Sequence, residues 1–209
     1  GTGTFYLGSN WNGTDHNFGG ILDDLKIYNY ARTPAQIIQD MNAGHPIGGS
    51  PVGSQIGYWK FDEGYGSTAH DSSTNDLNSS TWSGASWSNN CKFNKCLTFT
   101  GSDYIRVSDN DALDGMETLT VTAWVNSDDT SAYRQAVYKR QTGGTPAWYS
   151  YILGINSSGY PTFWLGNESG TTVSASGSQA IETNRWYHFS GVYDGNQVQI
   201  YVDGKPVDS

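Results

Sequence analysis

Hydrophobic and polar residues alternate with a period of two along much of the chain, the signature of strands with one buried face. In LTVTAWVN, residues 119–126, Leu119, Val121, Ala123 and Val125 fall on one face and Thr120, Thr122 and Trp124 on the other. In QVQIYVDG, residues 197–204, Val198, Ile200 and Val202 fall together. Asp194-Gly195 just before them supplies a tight hairpin turn. Further strands are predicted at 5–9, 20–29, 57–62, 97–100, 103–108, 135–140, 149–156 and 161–166. One segment carries helix signals. Thr33 stands as N-cap, Pro34 at the first helical position, Gln36 at the third and Gly44 as terminator, which predicts a helix over 34–43. Short strands punctuated by Gly, Asn and Asp turns predict an all-β protein. Its two antiparallel sheets should pack as a jelly-roll sandwich with one short helix.

Composition agrees. Only 15% of the 209 residues are charged, while there are 8 Trp, 14 Tyr and 26 Gly. Polarity is carried by neutral hydroxyl and amide groups, which suits strands and turns. A net charge of -9 repels phosphate backbones and anionic lipid. No nucleic-acid partner and no membrane insertion are expected. The chain starts at Gly1 within a strand-like stretch, so it is expected to be a processed product or a piece of a longer protein. Residues 45–56, rich in Gly, Pro and Ser, read as a linker.

Cys91 and Cys96 are the only cysteines. A zinc site would want four ligands and a redox motif two intervening residues, so a small disulfide loop in an oxidising compartment is the favoured reading. Sequons at Asn12, Asn78, Asn156 and Asn167 make these four candidate glycosylation sites and point the same way. The expected location is extracellular or on the cell surface.

GYWKFDEGYGSTAHDSS at 57–73 resembles the opening of a laminin-G-like module of the concanavalin A-like lectin/glucanase superfamily. CKFNKCLTFTGSDYIRV, LTVTAWV and NRWYHFSGVYDGNQVQIYVDGKPV resemble successive later blocks, and FGGILDDLKIYNYARTPAQI resembles the closing one. Yet the closing block stands first, within 1–44, and the opening and middle blocks occupy 57–209. Two arrangements follow: a circular permutant, or a cut from a tandem array in which 1–44 completes the preceding repeat. The near absence of a spacer between Ser209 and Gly1 favours the array. Neighbouring repeats or copies of the same chain would then be the partners.

Glycosidases on this sandwich are expected to carry a Glu-x-Asp-x-Glu strand. None of Glu63, Glu117, Glu168 and Glu182 stands in one, and no catalytic role is expected. Asp109, Asp111, Asp128 and Asp129 read as solvated turn carboxylates, and His188 as a structural sheet histidine. Asp23 is more informative, because it shares parity with Ile21, Leu25 and Ile27 and so would point into the core. A buried carboxylate needs a cation or several N–H donors. The resemblance implies that opening and closing strands pair, which brings Asp23 towards Glu63 and Asp71. Such oxygen ligands suit a structural Ca²⁺; a hydrogen-bonded buried Asp is the alternative. Trp148, Tyr149 and Tyr151 are candidates for stacking on a sugar, with sandwich packing as the alternative, and Trp82 and Trp87 form a second aromatic pair. The function expected is a non-catalytic structural repeat of a surface protein or fibre, completed by a neighbour's strand. The alternative is a lectin-like adhesion module that binds glycans.

Overall fold

The computed structural model describes residues 3–10, 16–42, 55–140, 149–167 and 170–207. The strands of the first part are β1 (Phe5–Leu7), β2 (Gly19–Tyr28), β3 (Gly57–Trp59), β4 (Ser79–Ser83), β5 (Ser86–Ser88), β6 (Cys96–Thr100) and β7 (Tyr104–Val107). Those of the second are β8 (Leu119–Ser127), β9 (Arg134–Arg140), β10 (Tyr149–Ile155), β11 (Pro161–Gly166), β12 (Thr172–Ser176), β13 (Tyr187–Tyr193), β14 (Val198–Val202) and β15 (Lys205–Pro206). The predicted strands appear, with ends displaced by up to three residues. One sheet runs β12-β11-β10-β9-β1-β7-β4. The other runs β15-β14-β13-β8-β2-β6-β5, with β3 also pairing with β2. All pairings between these strands are antiparallel, and the fold is the expected two-sheet sandwich.

The strands of the closing block pair within this chain. β1 lies between β7 and β9, and β2 between β8 and β6. The gap that the block order assigned to a neighbour's strand is occupied by residues 19–28 of the same molecule. The predicted linker lies almost wholly outside the described residues.

The core follows the period-two pattern. Phe5, Leu7, Leu25, Ile27, Trp59, Phe99, Val121, Phe163 and Phe189 are buried in one cluster between the sheets. Phe5 and Trp59 stack with ring centroids 5.4 Å apart. Gly191 on β13 is a point of close approach between the sheets, where a Cβ would stand 2.2 Å from the ring of Phe163. Gly191→Ala is therefore expected to cost about 1–3 kcal/mol by overpacking, read from the urea midpoint at unchanged slope.

The outer face of the second sheet is covered by the helix α1 (Pro34–Met41). Its N-terminus is the capping box foreseen, with Thr33 accepting from Gln36 and Gln36 reaching back to Thr33 N–H. Its C-cap is Asn42, earlier than the Gly44 expected. Ile37 packs against Val192 and Tyr201. Asp40, on the last turn of α1, is buried against the sheet. Its carboxylate meets Arg32 Nε at 2.7 Å and accepts from Tyr28 OH at 2.6 Å. Lys26 Nζ, also buried, donates to Asp24 at 2.7 Å and to the Asp40 carbonyl at 3.3 Å.

Candidate functional site

The predicted parity of Asp23 fails at a β-bulge. The β2–β8 register shifts between Asp23 and Lys26, and Asp24 sits at φ 51° in the left-handed region. The bulge resets the alternation, so Leu22, Leu25 and Ile27 enter the core. Asp23 instead stands opposite Trp124, beside the loop of Cys91–Cys96. It is still fully buried. Its Oδ2 accepts from Phe93 N–H at 2.8 Å and its Oδ1 has no hydrogen-bond partner. Burial first, then the nearby charges of Asp24 and Asp62, push its carboxyl up to about 8. Asp23, Asp24, Tyr58, Lys60, Asp62 and Phe93 line a small pocket of about 190 Å³.

The structure does not gather Asp23, Glu63 and Asp71 into one shell. Asp71 accepts four bonds, from the N–H groups of Tyr58, Ser73 and Leu77 and from the Ser73 hydroxyl. Glu63 accepts from His70 N–H at 2.8 Å, and its second oxygen is buried without a partner. Among the described residues no three His, Cys, Asp or Glu side chains form a group that could hold a metal ion. The three named carboxylates therefore do not fit a calcium ion as a set. Local backbone donors satisfy Asp71 instead.

His188 has the structural role expected. It is buried, its Nε2 is 2.7 Å from Thr122 Oγ1, and burial pushes its imidazole down to about 3, so it stays neutral. Cys91 and Cys96 are bonded to each other. So short a loop contributes at most about 2 kcal/mol by chain entropy.

Of the sugar-binding candidates, Trp148 lies outside the described residues and Tyr149 opens β10. Tyr151 is no exposed platform. Its ring is in the core, 6.4 Å from Phe5. Trp82 and Trp87 pack on each other with centroids 5.2 Å apart, and both indole N–H groups are taken by carbonyls.

A larger cleft opens at one end of the sandwich, about 910 Å³ in volume. Its apolar surface comes from Leu113, Met116, Leu165 and Val173, the last 50% exposed. Its rim carries Glu117, Asn167 and Asp194, and Tyr193 stands beside them. The hydroxyl of Tyr151 is buried here without a hydrogen-bond partner, and burial, with Asp114 nearby, pushes that phenol well above its ordinary range. Asp194 is held in place by its own hairpin turn, accepting from the N–H groups of Asn196 and Gln197. Sequence reading missed this cleft because its residues come from five separate segments, none with a motif of its own.

Among the sequons, Asn12 lies outside the described residues. Asn78 accepts from Asp71 N–H and donates to Asp76. Asn156 accepts from the N–H groups of Ser158 and Tyr160, and Asn167 from that of Thr171, so both shape turns between strands. Among the described residues no helix is long and apolar enough to cross a membrane.

A family model described as the concanavalin A-like lectin/glucanases superfamily, of laminin-G type, matches residues 99–209, more than half of the chain. Neither the curated proteins nor the solved structures gave a match. Both β1 and β2, which close the sandwich, lie outside the matched range.

Proposed function

Since the chain belongs to the concanavalin A-like lectin/glucanase superfamily as a laminin-G-like domain, we propose that it is an extracellular, non-catalytic recognition module for a neutral carbohydrate. The observation that carries this reading is the 910 Å³ cleft, with apolar surface inside and carboxylate and amide oxygens at the rim. Sugar rings offer an apolar face and a border of hydroxyl groups, and the cleft presents both complements. Binding without hydrolysis accords with the lack of a Glu-x-Asp-x-Glu strand. The Cys91–Cys96 bond supports an oxidising location.

The fibre reading rested on a missing strand, and that argument weakens because the chain's own β2 occupies the position. A glycan array with the folded protein tests the proposal, followed by calorimetry on any glycan retained. Glu117→Ala and Val173→Ala, both at exposed lining positions, are each expected to weaken binding at least tenfold with the melting temperature nearly unchanged. Retention of no glycan by the folded protein, or full affinity in both variants, would sink it.

A further inference from the structure

Lys139 is the most deeply buried cation of the fold's interior, with no exposed surface. Its cross-strand partners are Phe5 on β1 and Tyr151 on β10, so it points between the sheets among core rings. Its ammonium has three oxygen neighbours. The Gly3 carbonyl takes one N–H, Asp109 Oδ1 stands 2.9 Å away and Asp114 Oδ1 3.0 Å away. The two carboxylates differ. Asp109 is 38% exposed and also accepts from Gly3 N–H at 2.7 Å. Asp114 is only 10% exposed. Burial raises the Asp114 carboxyl, while Lys139 and Gly3 outweigh burial at Asp109 and lower it.

We infer that Lys139 and Asp114 form an intramolecular amide cross-link, with Asp109 as the proton acceptor that permits it. The Lys139 ammonium passes one proton to the Asp109 carboxylate. The freed amine attacks Cγ of the protonated Asp114 carboxyl, forming the new C–N bond. The C–OH bond of Asp114 then breaks, and its hydroxyl leaves as water with a second proton from nitrogen. Asp109, open to solvent on one side, gives up the first proton to water. No oxidant, reductant or further reactant is involved. In water this condensation is unfavourable between separate molecules, but groups held in contact gain effective molarities of about 10⁵–10⁸ M. Burial also favours the protonated form of the Asp114 carboxyl that the attack requires. The product would tie β9 to the loop after β7 across the end of β1, the narrow strand between them.

Intact mass of the folded, unreduced protein tests this. The expected value lies below the sequence mass by one water beyond the two hydrogens of the disulfide, and digestion should release a branched peptide joining Lys139 to Asp114. Asp109→Asn keeps an acceptor oxygen for Gly3 and Lys139 but takes no proton, so it should fold and remain uncross-linked. A mass short of only the disulfide hydrogens would overturn the inference, and that measurement decides even if the variant fails to fold. So would loss of water as a succinimide at Asp114–Gly115, which mild alkali reopens while an amide survives. A branch at Asp109, or full cross-linking in Asp109→Asn, would overturn the assignment of roles.

Discussion

Replacing Asp23 with asparagine is expected to stabilise the protein at pH 8 and to abolish a pH dependence that the parent shows. The Asp23 carboxyl is raised from 3.8 to about 8 in the folded state, first by burial and then by Asp24 and Asp62. A raised acid binds its proton more tightly when folded. Its contribution to stability is therefore present below about pH 4 and is lost as pH climbs through about 8. The loss over that window is on the order of 3–5 kcal/mol. His188 works in the opposite direction, because burial lowers it from 6.5 to about 3. Its neutral form favours the fold above about pH 6.5, and that contribution declines as pH falls towards 3. Between about pH 6.5 and 8 the Asp23 effect is thus exposed. The difference between parent and variant isolates it from the other buried acids. The amide oxygen of asparagine can still accept from Phe93 N–H. Urea midpoints at pH 5, 6.5 and 8 are the measurement. Parallel pH profiles for the two proteins would show that Asp23 is solvated in solution. Calcium bound at Asp23 would reverse the sign. It would hold the carboxylate ionised, raise the melting temperature of the parent in proportion to the logarithm of its concentration, and leave the variant unmoved.

Asp23 also shows how far the sequence reaches. The period-two pattern located most strands, and the Thr33, Pro34 and Gln36 signals located the helix start, because burial and capping are local requirements. A β-bulge breaks the local rule. One left-handed residue, Asp24, inverts the alternation without any glycine or proline to announce it. The face of Asp23 was misread for that reason, although its burial was anticipated correctly. Lys139 carried a signal that alternation could have caught, since it shares parity with Val137, a core residue. Its partners carried none. Asp109 looked like a solvated turn carboxylate, and only the placement of β1 between β7 and β9 brings it to a lysine thirty residues away. Strands β4, β5 and β12 are rich in Ser and Thr and lack the apolar contrast that the pattern needs. The cleft lay beyond sequence reading because a concavity between two sheets is a property of their packing.

Asp40→Ala is expected to produce the other large change, a loss of about 3–5 kcal/mol. Asp40 stands on the buried face of α1 with 5% of its side chain exposed, and the cations that face it are equally sheltered, Arg32 at 3% and Lys26 at 2%. Arg32 meets it with two nitrogens, Nε at 2.7 Å from one oxygen and a terminal nitrogen at 2.9 Å from the other. The guanidinium also lies over the Tyr28 ring, 4.2 Å from its centroid. Removing the carboxylate leaves that guanidinium desolvated, with only Tyr30 OH and the Gln36 carbonyl as hydrogen-bond acceptors. The Tyr28 hydroxyl loses its acceptor as well. Lys26 is spared the worst because Asp24 still holds it at 2.7 Å. The cost should therefore fall chiefly on Arg32 and on the seating of the helix. Urea unfolding would give the magnitude, and hydrogen exchange should show the α1 amides losing protection before those of β8 and β13. A loss under about 1 kcal/mol would mean that water replaces the carboxylate and that Ile37 packing and the bonds to the Asp40 and Met41 carbonyls hold the helix. Removing Arg32 and Asp40 together, as Met and Leu, separates the penalty of a stranded charge from the value of the pair. The double variant is expected to recover most of the loss, because a buried ion pair contributes little beyond apolar residues of similar size.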